Sequence, residues 1–205
     1  MTIRPGEAWE RPIERTHGLP EVRTDRDLVA AATRLGEGPA GPVMLLGGDV
    51  HRTLGSPAPR PDPVAADVDL LEVVDLDRGV VLGHAAAHVL VTPAGRRSIL
   101  FGEVIAACNS GHLGRFELAP RAHPGDGLVD VVTVSGDMSL RQRVSAMARA
   151  RSGSHLPHPD ISVSRVTSFE MGFDRPAVVR LDGERVGRVQ ALAIRVLPDA
   201  VTIVF

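Results

Sequence analysis

The chain has 205 residues, of which 43% are hydrophobic and 23% charged, a balance that suits one generous domain or two small ones and excludes global disorder. The formal net charge is −2, from 23 basic against 25 acidic residues, which argues against bulk nucleic-acid binding. All the basic residues are arginine, so a P-loop NTPase and Schiff-base chemistry on lysine are both excluded.

The first 63 residues predict an extended arm followed by a small α/β element. Residues 1–22 are polar and punctuated by proline and glycine, and form the arm. Residues 23–63 begin with a helix that Thr24 or Asp25 can cap and whose apolar stripe reaches Leu35. The rest of this part is predicted as a strand Val43–Leu46, a turn Gly47–Asp49, a short helix Val50–Leu54 and a linker Ser56–Pro63.

Residues 64–205 consist of short β-type segments separated by Asp/Gly clusters, a texture typical of a β-sandwich or barrel. The predicted strands are Val68–Val74, Val80–Val91, Ser98–Cys108, Arg115–Leu118, Val129–Val134, Ile161–Val166, Ser168–Phe173, Ala177–Leu181, Ala191–Val196 and Val201–Phe205. The fold class is therefore mainly β with minor α, a β-sandwich preceded by a truncated α/β element.

One helix interrupts these strands after Ser139, its predicted cap. Its apolar positions are Leu140, Val144, Met147 and Ala148. Because amphipathic helices usually face a core, we expect this stripe to be packed inward. The same helix has a partly one-sided basic face, formed by Arg141, Arg143, Arg149 and Arg151. The alternative function for this face is contact with anionic lipid head groups.

The single cysteine and the pair of histidines at positions 84 and 88 do not predict a catalytic or metal site. Cys108 cannot form an internal disulfide, which fits a reducing compartment and predicts a cytoplasmic location. It follows an apolar run, so we interpret it as a buried small residue. His84 and His88 have an i, i+4 spacing, but on one strand their rings would be ~13 Å apart, too far to share a metal ion.

Six segments carry a resemblance to a known family. Leu118–Val131 reads LAPRAHPGDGLVDV and resembles the LAPxAxxxDGLLDV signature of the diacylglycerol kinase and sphingosine kinase lipid-kinase family. Leu46–Gly55 resembles the family's second glycine motif, GTGNDLARxLG. The other segments, in the family's order, are Val68–Val73, Asn109–Gly114, Leu181–Glu184 and Val196–Val201.

The resemblance implies ATP- and Mg²⁺-dependent transfer of a phosphoryl group to a lipid or other alcohol hydroxyl. It implies Glu184 as general base, Asp182 as a carboxylate that orients the hydroxyl or Mg²⁺, and Asp49 as an acid facing both across a cleft. Gly47, Gly48 and Asp49 would be the nucleotide-side loop. On the residues alone, Asp182 and Glu184 also fit a plain hairpin turn.

Further implications concern a metal ion and partners. Asp126 and Asp130 resemble acidic positions that hold a structural Mg²⁺ in some relatives, although Asp126–Gly127 also fits an ordinary turn. The expected ligand is a lipid or small hydroxylated molecule, and a homodimer is a further expectation. No signal peptide or membrane-spanning run precedes or interrupts these motifs, so membrane contact would be peripheral at most.

Two departures from the family bear on activity. The sequence has no GGDGT loop, the motif with which the family binds ATP, and positions 45–49 read Leu-Leu-Gly-Gly-Asp instead of Gly-Thr-Gly-Asn-Asp. Leucine side chains would crowd a phosphate. We therefore expect a lipid-kinase-like pseudoenzyme with reduced or absent phosphoryl transfer. The alternatives are an active kinase that uses Glu184 as base, or a non-catalytic module that binds a ligand or a partner chain.

Overall fold

The computed structural model describes residues 9–14, 18–34, 40–94 and 100–205. Over these residues the chain forms thirteen strands, three α-helices and one 3₁₀ helix. The elements are β1 (Arg11–Pro12), β2 (Glu21–Val22), α1 (Asp25–Arg34), β3 (Ala40–Leu45), α2 (Gly48–Thr53), β4 (Val64–Asp75), β5 (Val80–Ala85), β6 (His88–Pro93), β7 (Val104–Cys108), β8 (His112–Leu113), β9 (Phe116–Glu117), β10 (Val129–Val134), α3 (Leu140–Arg149), the 3₁₀ helix Ala150–Ser152, β11 (Ile161–Val166), β12 (Ser168–Leu181) and β13 (Glu184–Val204).

Eleven of the strands belong to one sheet, with the main order β1-β4-β13-β12-β6-β7-β10-β11. β5 pairs with β4, and β3 pairs with both β2 and β13. The pairs β2–β3 and β3–β13 are parallel, whereas the other pairs in this sheet are antiparallel. The hairpin β8–β9 stands apart. The predicted fold class, mainly β with minor α, is confirmed.

Buried side chains form three clusters on this framework. The first contains Leu71 and Ile194, at the centre of the long antiparallel strands. The second contains Leu28 of α1, with Phe205, and lies where α1 and α2 meet the parallel strands. The third lies beneath α3 and includes Cys108, whose burial raises the pKa of its thiol to about 12. The interpretation of that cysteine as a buried small residue is confirmed.

The two longest strands each join segments that the sequence had separated. Ser168–Phe173 and Ala177–Leu181 are parts of β12, interrupted by a register shift between Gly172 and Ala177. Ala191–Val196 and most of the next predicted strand are parts of β13, with a register shift between Leu197 and Val201. Irregular pairing breaks the apolar alternation at these points, so the sequence pattern suggested gaps.

β13 also connects the two parts of the chain. Ile203 and Val204 pair in parallel with Val43 and Met44 of β3, while the same end of β13 pairs with β4. The sheet is therefore continuous across residue 63. The domain boundary placed there from the sequence stays a prediction.

The N-terminal arm contacts the sheet within the described residues. Trp9 donates from Nε1 to the Asp67 carbonyl (3.1 Å), and its ring meets the His123 ring edge-on at 4.8 Å. Arg11 on β1 makes two hydrogen bonds to the Asp67 carboxylate, at 2.7 and 2.8 Å. Positions 1–8 and 15–17 of the predicted arm lie outside the described residues.

The prediction of one strand over Val80–Val91 is wrong. The chain bends at Ala86–Ala87 and forms β5 and β6, which pair with different strands. The bend exists because the Asp182 carboxylate accepts hydrogen bonds from the N–H groups of Ala86, Ala87 and His88, at 2.8, 3.0 and 2.9 Å. The ~13 Å separation expected for His84 and His88 on one extended strand therefore does not apply.

The predicted helix caps are present. The Asp27 N–H donates to Thr24 Oγ1 (3.1 Å) at the start of α1, and Ser139 forms a capping box with Gln142 at the start of α3. Leu35, at the predicted end of the first helix, lies outside the described residues. Nowhere in the described ranges is a helix long and apolar enough to cross a membrane.

The inward packing predicted for the apolar stripe of α3 is wrong. Leu140, Val144 and Met147 are exposed, while Arg143 and Ala146 are buried. The reason is the Arg143 guanidinium, which donates to three carbonyl oxygens beneath the helix and so fixes which face is turned inward. The acceptors are the carbonyls of Met138 (3.1 Å), Gly102 (2.5 Å) and Ser135 (2.6 Å).

Asp69 on β4 ties two turns to the sheet. Its carboxylate accepts from the Gly127 N–H (2.7 Å) and the Asp199 N–H (2.9 Å), and the residue is fully buried. Burial raises the pKa of Asp69 to about 7; the bond from Gly127 opposes this rise and the charge of Asp126 adds to it.

This pKa predicts a pH dependence of stability. The native state keeps the Asp69 proton up to about pH 7, whereas the unfolded chain releases it near 3.8, so the free energy of unfolding should fall as the pH rises between these values. Urea unfolding at several pH values measures this fall. Asp69→Asn should make it shallower, and the exposed control Asp62→Asn should leave it unchanged. An unaltered slope in Asp69→Asn would contradict the prediction.

Candidate functional site

Two strand–loop–helix units lie side by side at one edge of the sheet. β2 continues through Arg23 and Thr24 into α1, and β3 continues through Leu46 and Gly47 into α2. The strands are parallel, and the Leu46 N–H donates to the Val22 carbonyl (2.8 Å) where they end. Parallel strands place their carboxyl ends at the same edge, so the beginnings of both helices meet there.

Asp25, the first residue of α1, caps the other helix. Its carboxylate accepts from the N–H groups of Asp49 (2.7 Å) and Val50 (3.0 Å) at the start of α2. Gly47, at the N-cap position of α2, has no side chain to do this. Asp25 is only 8% exposed. The sequence suggested Asp25 only as a cap of its own helix, because the two-residue strand β2 before it was interpreted as part of an arm.

Gly47 and Gly48 permit the close approach of the first unit. A Cβ at Gly47 would lie 2.4 Å from the Arg23 carbonyl oxygen, and one at Gly48 would lie 2.5 Å from Asp25 Oδ1. Gly48 also has a φ of +96°, which favours glycine. The glycines thus face Arg23 and Asp25 of the same chain. A nucleotide-binding role for them stays a prediction.

Asp182 occupies the tight turn between β12 and β13, with a φ of +44°. Besides accepting the three N–H bonds from the β5–β6 bend, it donates its own N–H to the His88 carbonyl (3.0 Å). Burial raises the pKa of Asp182; the three hydrogen bonds oppose this rise, and the Asp49 charge adds to it. Asp182 therefore forms the β12–β13 turn with its backbone and stabilises the neighbouring β5–β6 bend with its carboxylate.

Asp49 faces the β8 region. Its Oδ2 accepts from the Gly114 N–H (2.8 Å), and its Oδ1 lies 3.9 Å from Nη1 of Arg52. Ser110 Oγ donates to the Asp49 carbonyl (2.9 Å), so the turn after β7 is fixed to α2. Asp49 Oδ2 is also 3.9 Å from His88 Nδ1.

His88 is the second residue that the sequence analysis did not identify as part of the site. It is 5% exposed, and within the described ranges its Nδ1 has no hydrogen-bond partner. Burial lowers the pKa of this imidazole, against the opposing charges of Asp49 and Asp25. The ring therefore favours its neutral form, with one buried nitrogen directed toward Asp49. The sequence analysis considered it only as a partner of His84 in a metal site.

A pocket of about 500 Å³ opens beside these groups. Its lining residues are Thr24, Asp25, Arg26, Asp27, Ala30 and Asp182. Glu184 is half-exposed and forms an ion pair with Arg26 at the rim. Burial raises the pKa of Asp25, and the nearby charges of Asp182 and Asp49 raise it further. Of the three predicted acids, Asp182 thus lines the pocket, Glu184 reaches its rim, and Asp49 lies within electrostatic range.

The hydrogen bonds limit what this acidic pocket can do chemically. The carboxylates of Asp25, Asp49 and Asp182 already accept backbone N–H bonds. Over the described ranges, no group of three or more His, Cys, Asp or Glu side chains is placed to hold a metal ion. The residues therefore do not fit a dedicated Mg²⁺ site.

Asp126 and Asp130, the predicted metal ligands, both contact Arg165. Asp126 Oδ2 pairs with its Nη2, and Asp130 Oδ2 accepts from its Nε (3.2 Å). Asp126 Oδ1 also accepts from the Leu128 N–H (3.0 Å), as in an ordinary Asx turn. A guanidinium thus contacts both carboxylates, while Asp130 Oδ1 is buried without a hydrogen-bond partner among the described residues. A Mg²⁺ ion at these two residues stays a prediction.

An apolar cavity of about 200 Å³ lies beneath α3, away from the acidic pocket. Strands β6, β7 and β10 supply its floor, with Leu90, Ala106 and Val132 among the lining side chains. Ala146 and Met147 of α3 cover it. The cavity is smaller than a pocket for a drug-sized ligand, and its lining suits part of an alkyl chain.

Comparison with known proteins gives three findings. A family model described as the YegS C-terminal NAD kinase beta sandwich-like domain matches residues 79–205. Two solved structures of candidate diacylglycerol kinases from Bacillus anthracis str. Sterne are similar in fold. The first has a TM-score of 0.62 and 14% sequence identity, and the match covers 90% of this chain and 77% of that chain. The second has a TM-score of 0.56 and 12% sequence identity, and the match covers 78% of this chain and 68% of that chain. No curated protein matches significantly.

The two carboxylates of the β12–β13 turn should differ sharply in their contribution to stability. Asp182→Asn removes an acceptor for buried N–H groups and places an amide donor against them, which should lower the free energy of unfolding by about 2 kcal/mol or more. Glu184→Gln makes the same chemical change two residues away in an exposed ion pair and should cost less than about 1 kcal/mol. Urea unfolding compares the two variants, and equal losses would contradict the clamp role of Asp182.

Proposed function

Because the chain belongs to the family of YegS C-terminal NAD kinase beta sandwich-like domains, we propose that it is a lipid-kinase-like protein with reduced or absent ATP-dependent phosphoryl transfer. The hydroxyl acceptor of such a reaction would be a lipid or another alcohol. Membership in this family and the fold shared with the candidate diacylglycerol kinases support the lipid-kinase-like part of the proposal.

The observation that carries the reduced activity is the absence of glycine from the loop between β2 and α1, and the hydrogen bonds of Asp25 add to it. Backbone N–H groups at the beginning of a helix are ready donors to phosphate oxygens. Here the N–H groups of Asp49 and Val50 donate to Asp25 instead. In this structure these two donors are therefore already paired within the chain.

The loop between β2 and α1 supports the same conclusion. It begins the first of the two adjacent strand–loop–helix units, so we infer that it stands where the family's GGDGT loop would be. The five residues from Arg23 read Arg-Thr-Asp-Arg-Asp, and only the central Asp25 is shared with that motif. Arginine and threonine replace the glycines that would let a backbone approach phosphates closely.

A second candidate, an active kinase, is favoured by the grouping of the acids around one pocket. In that case ATP and Mg²⁺ would be required, and bound Mg²⁺ would neutralise charge on the transferred phosphoryl group. Glu184 would accept the proton of the substrate hydroxyl, and its exposure at the pocket rim leaves it accessible. Asp182 would be a poor ligand because it already holds the β5–β6 bend.

The function retained in a weak or inactive member would be ligand binding. The cavity under α3 is lined almost wholly by apolar side chains and is large enough for part of an acyl chain. We propose that a lipid, or a small hydroxylated ligand with an apolar tail, binds there. A homodimer is a further proposal, for which the fold offers no specific support.

Nucleotide binding tests the first part of this proposal. Titration with ATP and Mg²⁺ should cause no saturable rise in the melting temperature, since the donors needed for the phosphates are already occupied. MgCl₂ alone and sodium sulfate at matched ionic strength serve as controls. A saturable rise, or phosphorylation of a lipid that Glu184→Gln slows by ~10²-fold or more, would instead establish the active-kinase alternative.

Lipid binding tests the second part. Monomeric dioctanoylglycerol should raise the melting temperature of the wild-type chain, because a ligand that binds only the folded state stabilises it. Ala146→Phe fills the cavity and should abolish the rise. Ala148→Phe makes the same change two residues along α3 on an exposed position and should preserve it. The absence of any rise in the wild type, or its survival in Ala146→Phe, would argue against the cavity as a lipid site.

A further inference from the structure

A third pocket, of about 700 Å³, lies apart from the acidic pocket and from the cavity beneath α3, and shares no lining residue with either. It is surrounded by the end of β6, the start of β7 and the middle of β12, with one residue from β13. Its volume falls in the range of about 300–1,000 Å³ that is usual for small-molecule sites. The pocket therefore has room for a ligand of its own.

The wall that β12 gives to this pocket is not regularly paired. Between the pairs formed by Gly172 and Ala177, β12 has four residues, 173–176, whereas β13 has only Gln190. The last described pair of β6 with this part of β12 is that of Pro93 with Ala177, so residues 173–176 have no partner there either. Irregular strand segments of this kind often border binding sites, and an unpaired backbone is a template for an extended peptide.

Four charged side chains line the pocket, two of each sign. Glu103 and Asp174 are the acids, Arg175 and Arg188 are the bases, and all four are exposed. Over the described residues none of the four forms an ion pair or a side-chain hydrogen bond. Both signs of charge are therefore available to a ligand, which can form charge-assisted hydrogen bonds with them.

The floor of the pocket is apolar. Val91, Ile105 and Ala177 belong to the buried cluster at the centre of the long antiparallel strands, and Phe173 packs against that cluster while partly exposed. Ligand sites commonly combine such an apolar surface with a few polar groups that fix the orientation of the ligand. A ligand for this pocket thus needs an apolar middle and charged ends.

Glu103 and Arg188 mark two opposite sides of the pocket. Glu103 directly precedes β7 and Arg188 lies on β13, and both β6 and β12 come between these two strands in the sheet. Three interstrand spacings therefore separate the two residues, ~14 Å along the sheet. The charges of a free amino acid are too close together to reach both sides. An extended tripeptide spans ~10 Å, and the long side chains of Glu103 and Arg188 can cover the remaining distance.

We propose that this pocket binds a short apolar peptide with free termini, which lies extended beside residues 173–176 of β12. The ammonium group of the peptide pairs with Glu103 and its carboxylate pairs with Arg188. Its apolar side chains lie on Val91 and Ile105, and its backbone groups bond to those that β12 leaves unpaired. The binding rests neither on phosphoryl transfer nor on lipid binding, so its test is independent of the nucleotide and cavity experiments.

Two other ligands suit the pocket less well. A zwitterionic lipid head group has both charges at one end of the molecule, so it reaches only one side of the pocket. An internal segment of a protein partner has no terminal charges to offer. Asp174 and Arg175 are sequence neighbours of opposite charge on the same wall, so together they favour neither end of the peptide.

Isothermal titration calorimetry with the tripeptide Ala-Leu-Ala tests the proposal, and the wild-type chain should bind it saturably. N-acetyl-Ala-Leu-Ala has no ammonium group and Ala-Leu-Ala amide has no carboxylate. Each should bind about fivefold more weakly, because each loses one solvent-accessible ion pair. Gly-Gly-Gly keeps both charges but has no apolar side chains, and it should also bind more weakly than Ala-Leu-Ala.

Two double-mutant cycles assign the ends of the peptide. Glu103→Gln should weaken the binding of Ala-Leu-Ala about fivefold, after which acetylation of the peptide should cause no further loss. Arg188→Gln should do the same for amidation. The matched controls are Glu170→Gln on β12 and Arg185→Gln on β13, which change exposed side chains outside the pocket and should leave the affinity unchanged. All four positions are exposed, so the variants should retain the native melting temperature.

Four results would overturn the proposal. They are the absence of saturable binding of Ala-Leu-Ala to the wild-type chain, equal affinities for the free, acetylated and amidated peptides, additive losses in both cycles, and an equal loss in the control variants. Coupling of acetylation to Glu103 and of amidation to Arg188, with unchanged binding in the controls, would establish both the site and the direction of the bound peptide.

Discussion

The bend between β5 and β6 depends on one carboxylate. Asp182 accepts three consecutive N–H groups from Ala86, Ala87 and His88, and on the other side of the bend Asn109 donates from Nδ2 to the Ala86 carbonyl (2.8 Å). The Asn109 N–H donates to the Ala87 carbonyl as well (2.9 Å). Together these contacts satisfy backbone groups that a sharp turn inside a sheet would otherwise leave buried and unpaired. They also set the position of His88, next to Asp49.

Aspartate carboxylates accept backbone N–H groups at several other places in the described part of the chain. Asp25 caps a helix from a neighbouring loop, Asp69 holds two turns, and Asp77 accepts from Gln190 (3.2 Å) and Ala191 (3.1 Å) beside β13. Such carboxylates are costly to desolvate, which is why the pKa values of Asp25, Asp69 and Asp182 are raised. Acids committed to backbone donors have less capacity left for a metal ion or a substrate. The use of aspartate as a structural acceptor therefore connects the stability of the fold to its proposed weak catalysis.

Local patterns allowed part of this structure to be predicted. The caps at Thr24 and Ser139 depend on neighbouring residues only, and the resemblance carried by Leu118–Val131 depends on a contiguous motif; all three predictions were confirmed. What failed required contacts distant in sequence. The β5–β6 bend is made by a residue about ninety-five positions later. The backbone carbonyls that accept from Arg143 determine which face of α3 is turned inward. The hydrophobic periodicity of the helix gives no information about these acceptors. Asp25 was considered only as a cap of its own helix and His88 only as a partner of His84, because the residues that they contact at the site are distant in sequence.

The parallel pairing of β3 with β13 has a consequence for biogenesis. On the edge of β3 that faces β13, Val43 and Met44 pair with Ile203 and Val204, about 160 positions later. During synthesis from the N-terminus, that edge of β3 has to wait until nearly all the strands that follow have been translated. Contacts of such long sequence separation slow folding. A nascent chain is therefore expected to hold β2, β3 and α1 in an incomplete state, in which chaperone binding competes with aggregation.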